Sequence, residues 1–167
     1  MKILFTTCLV AFFNASPGPV ARPAAVHASH VLMTDTITPM QVVKAFLMSY
    51  QAGNHERTKA LLHPQVTWQQ PGQNRLAGTK HTRTEVLQMG HAMQQLSAST
   101  IKLISVEYFA ATGNQVACIL HWQAAQPPGG LLDVANIDVY TVEKGLITQV
   151  QVFSADLPQE NIFWGLN

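Results

Sequence analysis

Asp138 is the acidic residue whose neighbours in the sequence best suit acid/base chemistry. It lies in Ile137-Asp138-Val139, within an apolar and β-branched run that predicts a strand. Because side chains alternate between the faces of a strand, Asn136, Asp138 and Tyr140 share one face. Leu132 is expected on the other face, with the two apolar neighbours of Asp138. An aspartate facing an apolar interior has a raised pKa, which suits a general acid or base, whereas one on an outer face or against backbone donors does not.

Polar and aromatic side chains elsewhere are candidate substrate contacts. Gln69 and Gln70 end the first predicted strand, where their amides either bind a ligand or lie in water at a rim. Tyr50 is one helical turn from Phe46 and offers a hydroxyl. The remaining candidates are Trp68, His91, Cys118, Trp122, Asn136, Tyr140 and Phe153. Aromatic residues at strand spacing also suit a plain core, and a mid-strand cysteine suits a small buried residue better than a nucleophile.

Composition and motif spacing argue against several classes of function. Lys and Arg number 10 and Asp and Glu number 9, a formal net charge of +1 that disfavours a nucleic-acid partner. No pair of histidines has the close spacing of a zinc site, so we expect no metal. The 2 cysteines are too few for a disulfide scaffold. No apolar run reaches the roughly 20 residues that a membrane span needs.

The elements that position these residues follow the order α-α-β-α-β-β-β-β. A capping box at Thr38-Pro39-Met40-Gln41 begins the first helix, and Gly53-Asn54 ends it. The pattern then predicts a helix over 55–62, a strand over 66–70, a helix from Thr82 to about Leu96, and strands over 100–110, 115–124, 131–142 and 146–154. This order predicts one α+β domain, with helices on one face of a curved antiparallel sheet that encloses an apolar pocket.

Residues 1–33 form a different kind of sequence. Met1-Lys2 precedes an apolar run over 3–13 and a breaker region, which is the layout of a secretory signal. Val26-His27-Ala28 offers a cleavage site, so a periplasmic or secreted domain over 34–167 is expected. The alternatives are a cytoplasmic protein that starts at Met33, with the preceding residues as an over-called N-terminal extension, and a disordered arm.

Several loose motifs in a characteristic order resemble the nuclear-transport-factor-2-like (NTF2-like) superfamily. They are Val43-x-x-Phe46…Tyr50-x-x-Gly53-Asn54, Leu61-Leu62-His63-Pro64-x-Val66-x-Trp68, Pro71-Gly72…Leu76-Ala77-Gly78 and Asp138-Val139-Tyr140…Gly145-Leu146-Ile147. Within the superfamily, the chain is most similar to SnoaL-like, ketosteroid-isomerase-related proteins. The resemblance spans about residues 38–153 and implies a cone-shaped sheet wrapped by three helices.

The resemblance implies three functional positions, and the chain keeps one of them. Gln70 stands where these isomerases have a catalytic base, and Phe46 stands where they have a tyrosine. Asp138 matches the donor aspartate. Polyketide-cyclase relatives resemble the chain better, because they are cofactor-free and work with a single acid/base aspartate. Steroid-isomerase chemistry by the usual arrangement is therefore not expected.

Two functions follow from this resemblance. One is the binding of a small apolar carbonyl compound, polyketide- or steroid-like, by a cofactor-independent isomerase or cyclase that uses Asp138. The other is a non-catalytic ligand-binding or dimerisation module, which a cavity filled by Met40, Met89, Met93 and the tryptophans would favour. The resemblance also implies a homodimer formed through the outer face of the sheet.

Overall fold

The computed structural model describes residues 37–127 and 129–166. The predicted signal segment therefore lies outside the described residues. Along them the elements are α1 (Pro39–Gln51), α2 (His55–Ala60), β1 (Leu62–Gln70), β2 (Gly78–Lys80), α3 (Arg83–Leu96), β3 (Lys102–Thr112), β4 (Gln115–Gln126), β5 (Gly130–Glu143), β6 (Leu146–Ser154) and α4 (Leu157–Trp164). This α+β architecture confirms the predicted fold class.

The six strands form one sheet in the order β2-β1-β6-β5-β4-β3. Strands β3 to β6 are the predicted antiparallel meander, but β1 pairs with β6 in parallel, so the sheet is mixed. The expectation of a wholly antiparallel sheet is wrong at this pair. No hairpin fixes the direction of β1 relative to β6, because α3 and four strands separate them along the chain.

Capping residues set the starts of the two long helices as the sequence predicts. Gln41 N donates to Thr38 Oγ1 and Thr38 N donates to Gln41 Oε1, which completes the capping box of α1. At α3, Thr82 Oγ1 accepts from Glu85 N in the same way. Thr82-Arg83-Thr84-Glu85 has the sequence of a second capping box, but the Glu85 carboxylate accepts from His81 N instead of from the cap residue.

Three local features depart from the predicted element order. Strand β1 begins at Leu62, before Pro64, and its register with β6 shifts between Leu62 and Thr67, where the proline interrupts regular pairing. The short strand β2 was missed. The predicted order also lacks α4, a fourth helix. Its N-cap is Asp156, whose side chain accepts from Gln159 N.

Helices α1 and α3 cover one face of the sheet and bury their apolar sides there. Val42, Val43, Phe46 and Leu47 of α1 are buried, as are Val86 and Met89 of α3. Register shifts in the β3–β4 and β5–β6 pairs mark bulges, which bend and twist a sheet. Among the described residues, no helix has the length and apolarity needed to cross a membrane.

Candidate functional site

A cavity of about 1030 Å³ lies between the inner face of the sheet and the helices. Its walls are rich in aromatic residues, namely Phe46, Tyr50, Trp68, Trp122, Tyr140 and Trp164. Met89 and Met93 also line it, whereas Met40 does not. These side chains leave a space of the size that binds ligands of several rings, so the methionines and tryptophans do not fill it.

Asp138 lies in this cavity with its side chain only 3% exposed. Its Oδ2 accepts a hydrogen bond of 2.9 Å from Tyr140 Oη, and its Oδ1 has no hydrogen-bond partner within the described part of the chain. Burial raises the pKa of Asp138 to about 7, the Tyr140 hydroxyl opposes this rise, and the negative charge of Glu160 adds to it. The carboxyl group is therefore poised to gain or lose a proton near neutral pH.

The alternation predicted for β5 places Asn136, Asp138 and Tyr140 on the inner face, where all three line the cavity. Leu132 lies on this face as well, contrary to the sequence analysis, because even-numbered residues of β5 point inward along its whole length.

Glu160 of α4 is a second carboxyl group in the cavity wall, and it is 2% exposed. Burial raises the pKa of Glu160, while hydrogen bonds with the side chains of Ser154, Asn136 and Trp164 favour its charged form. Glu160 is not among the predicted site residues because the predicted element order does not contain α4. The available signal was Asp156-Leu157-Pro158, an N-cap residue followed by a proline in the first turn.

Gln70, Trp68 and Phe46 lie together at the cavity wall. Gln70 is 6% exposed and thus not a rim residue, and its Oε1 accepts a 3.2 Å hydrogen bond from Trp68 Nε1. The Phe46 ring is 6.5 Å from the ring of Trp68 and 6.0 Å from that of Tyr140, between centroids. With its oxygen accepting from Trp68, the Gln70 amide still has its Nε2 donor to offer to a ligand. Gln69 is exposed and does not line the cavity.

Tyr50, Trp122 and His91 belong to another part of the wall. The Tyr50 and Trp122 rings meet edge to face at 5.3 Å, and burial raises the pKa of Tyr50, which hydrogen-bonds Gln94. His91 is exposed and is also one of the residues that line the cavity. The hydroxyl that contacts Asp138 belongs to Tyr140, whereas that of Tyr50 hydrogen-bonds Gln94.

Two predicted substrate contacts do not line the cavity. Cys118 is paired with Asp138 in the sheet and buried in the core, where burial and the charge of Asp138 raise its pKa to about 12. Phe153 is 48% exposed on the outer face. Val152 is the partner of Asp138 on β6, so the next residue, Phe153, faces away with Ile137. Within residues 37–127 and 129–166, no three His, Cys, Asp or Glu side chains converge as metal ligands.

The chain belongs to the SnoaL-like domain family, whose model matches residues 43–150. This confirms the family indicated by the sequence motifs. The four helices and the curved, unclosed sheet are the NTF2-like cone. The family and fold support a small-molecule-binding domain. None of the curated proteins compared with the chain matches it significantly.

Solved structures share this fold over nearly their whole length. A protein of unknown function with a cystatin-like fold from Xanthomonas campestris is 30% identical, with a TM-score of 0.73 over 77% of this chain and 98% of its own. An NTF2-like protein of unknown function from Burkholderia pseudomallei is 18% identical, with a TM-score of 0.65 over 75% of this chain and 96% of its own. TerC, co-crystallized with polyporic acid, is 15% identical, with a TM-score of 0.66 over 76% of this chain and 98% of its own.

Proposed function

We propose that the protein binds a small apolar carbonyl compound and acts on it as a cofactor-independent isomerase or cyclase. The observation that carries this proposal is Asp138, a carboxyl group buried in an aromatic-walled cavity with a pKa of about 7. A general acid or base works best when its pKa lies near the working pH. In its ionised form Asp138 would take a proton from a carbon next to the ligand carbonyl.

The step needs no external redox partner. The C–H electron pair moves into a carbon–carbon double bond and the carbonyl becomes an enolate oxygen, while the proton goes to the Asp138 carboxylate. Return of that proton to a different carbon gives an isomer. Alternatively, attack of the enolate carbon on a second carbonyl of the same molecule closes a ring, and the proton on Asp138 goes to the alkoxide oxygen that forms. The Nε2 donor of Gln70 would help to stabilise the enolate oxygen.

The wall of the cavity favours an apolar, ring-containing ligand. Phe46, Trp68 and Trp164 present large apolar surfaces to the cavity, and their burial against a ligand is favourable. TerC, a structural neighbour, was co-crystallized with polyporic acid. That pairing supports an organic small molecule as the ligand class, and a polyketide- or steroid-like compound is the form we propose.

Mass spectrometry of molecules that copurify with the protein from its native host tests the ligand class. Native spectra should show a 1:1 complex, and the released compound should form an oxime with hydroxylamine, which reacts with aldehydes and ketones. A released ligand without a carbonyl group would contradict the proposal.

A non-catalytic binding module is the second candidate function, and Gln70 and Phe46 favour it. An amide and a phenyl ring occupy the positions at which the related isomerases carry a base and a hydroxyl, and the oxygen of Gln70 is engaged by Trp68. Both functions predict ligand binding. They differ in whether a bound ketone exchanges its α-hydrogens with solvent faster than the free ketone does.

We also propose that the protein is a homodimer formed through the outer face of the sheet. Ile119, Ile137 and Phe153 lie side by side across β4, β5 and β6 on that face. Ile137 and Phe153 are each about half exposed, at 47% and 48%. Covering such an apolar row with the same row of a second copy would remove it from water.

A further inference from the structure

Three acceptor oxygens without partners converge on one part of the cavity wall. They are Asn136 Oδ1, Asp138 Oδ1 and Glu160 Oε1, and no other buried side-chain nitrogen or oxygen among the described residues lacks a hydrogen bond. The three side chains are 7%, 3% and 2% exposed, and all three line the cavity. We call these three residues the acceptor cluster.

The other polar atoms of the acceptor cluster are already engaged. Asp138 Oδ2 accepts from Tyr140 Oη, and the side chain of Asn136 hydrogen-bonds the Glu160 carboxyl group. The hydrogen bond favours the charged form of Glu160, so the Asn136 amide nitrogen is its donor. The atoms left without partners in these wall residues are therefore all oxygens, and no Lys or Arg side chain among the described residues forms an ion pair with either carboxyl group.

A ligand that fills this part of the cavity must therefore bring hydrogen-bond donors. A buried oxygen without a donor loses its interaction with water and gains nothing in return, so an apolar group placed there would bind poorly. Two or three neighbouring O–H groups would satisfy the cluster. Neither carboxyl needs a full charge for this, because a protonated carboxyl keeps a carbonyl oxygen that accepts.

We infer that the acceptor cluster is a hydroxyl-binding subsite, which takes the edge of a ligand ring bearing two neighbouring hydroxyl groups. This inference rests on the proposed function and narrows its ligand class. The apolar rings of the ligand lie against Phe46, Trp68 and Trp164, and the hydroxylated edge lies against Asn136, Asp138 and Glu160. The three rings and the three acceptor residues present different surfaces to a ligand, so the cluster fixes the orientation of the ligand.

Calorimetric titration with three matched two-ring probes tests this subsite. The probes are 2,3-dihydroxynaphthalene, the similarly shaped 2,3-difluoronaphthalene, which cannot donate, and 2-naphthylmethylammonium, which donates from a cation. We expect the dihydroxy probe to bind about tenfold or more tightly than the difluoro probe. This comparison uses the unaltered chain, so it does not depend on whether any variant folds.

Two variants assign the preference to the cluster. Asn136→Leu removes one acceptor at similar volume, and Glu160→Gln replaces a carboxyl with an amide. The preference is measured as the dissociation constant of the difluoro probe divided by that of the dihydroxy probe. Each variant should reduce this ratio severalfold. Glu143→Gln is the matched control, because Glu143 is exposed at the end of β5, outside the cavity wall, and its loss should leave the ratio unchanged.

The outcomes separate this inference from the proposed function. Equal binding of the dihydroxy and difluoro probes would overturn the hydroxyl subsite and leave the apolar cavity intact as a binding site. Tighter binding of the ammonium probe, lost in Glu160→Gln, would show a cation subsite and also overturn it. Binding of none of the probes would contradict both the subsite and the proposed ligand cavity.

Discussion

The protonation of Asp138 is the residue-scale property on which the proposed chemistry depends. Burial raises its pKa from 3.8 to about 7, so the folded chain holds a proton that the unfolded chain releases. The stabilisation that this proton gives the folded chain is fully present below about pH 4, and it is lost as the pH rises through about 7. This change of stability with pH has the opposite sign to that of a carboxylate in an ion pair, whose contribution is lost as the pH falls.

Asp138→Asn should therefore stabilise the protein progressively as the pH rises. Between pH 4 and pH 8 the free energy of unfolding of the variant, relative to the unaltered protein, should rise by about 1–3 kcal/mol. Urea denaturation at several pH values measures this difference. Asp133→Asn on the same strand is the control, because His121 lowers the pKa of the exposed Asp133, so any stability change from its titration lies below about pH 4 and the difference should stay flat between pH 4 and pH 8. A pH-independent difference for Asp138→Asn would contradict the buried, protonated state.

Tyr140→Phe should raise the pKa of Asp138 further, by about 1. The Tyr140 hydroxyl is the hydrogen-bond donor to Asp138 Oδ2, and it favours the charged carboxylate. Carbon-13 NMR of the labelled carboxyl group measures the titration directly. Tyr50→Phe, which removes a hydroxyl that contacts Gln94, should leave the Asp138 titration in place. An equal change in the pKa of Asp138 in both variants would mean that the Tyr140 hydroxyl contact does not set this pKa.

At the scale of elements, α4 is the helix that brings Glu160 into the cavity. The Asp156 side chain caps it by accepting from Gln159 N, and Phe163 and Trp164 anchor it in the core. Loss of an N-cap acceptor costs a helix about 1 kcal/mol.

Asp156→Ala should lower the free energy of unfolding by about 0.5–2 kcal/mol and weaken binding of the dihydroxy probe, since it loosens the helix that holds Glu160. Asp156→Ser, which keeps an acceptor at the cap, should retain most of both properties. Thermal unfolding and calorimetric titration measure the two effects. If Asp156→Ala and Asp156→Ser behave alike, the cap does not position Glu160.

The sequence predicts the elements that carry strong local signals. The capping box at Thr38 and Gln41 and the alternation along β5 are set by neighbours in the chain, and both are confirmed. The parallel β1–β6 pair depends on contacts between residues about 80 or more positions apart, for which the sequence gives no local signal. Glu160 is different, because the start of its helix has a local signal at Asp156 that the predicted element order did not use. Phe153 was misplaced because the face of β6 that turns inward is fixed by its register with Asp138, which periodicity alone cannot give.

At the scale of the whole molecule, the outer face of the sheet determines the predicted association. Ile137→Lys places a charge in the middle of the apolar row formed with Ile119 and Phe153, and it should convert the dimer to a monomer without unfolding it. Sedimentation equilibrium at micromolar concentration measures the mass. Ile162→Lys is the matched control, because Ile162 is 79% exposed on α4 and lies outside the row. A monomeric unaltered protein would contradict the dimer.

The proposed enolisation is tested most directly by deuterium exchange into a two-ring ketone such as 1-tetralone, followed by proton NMR in D2O. The unaltered protein should accelerate loss of the α-hydrogen signal in a saturable way, and Asp138→Asn should lose about 100-fold of that acceleration while still binding the ketone. Binding of the ketone without accelerated exchange, or equal exchange in both proteins, would contradict a catalytic role for Asp138.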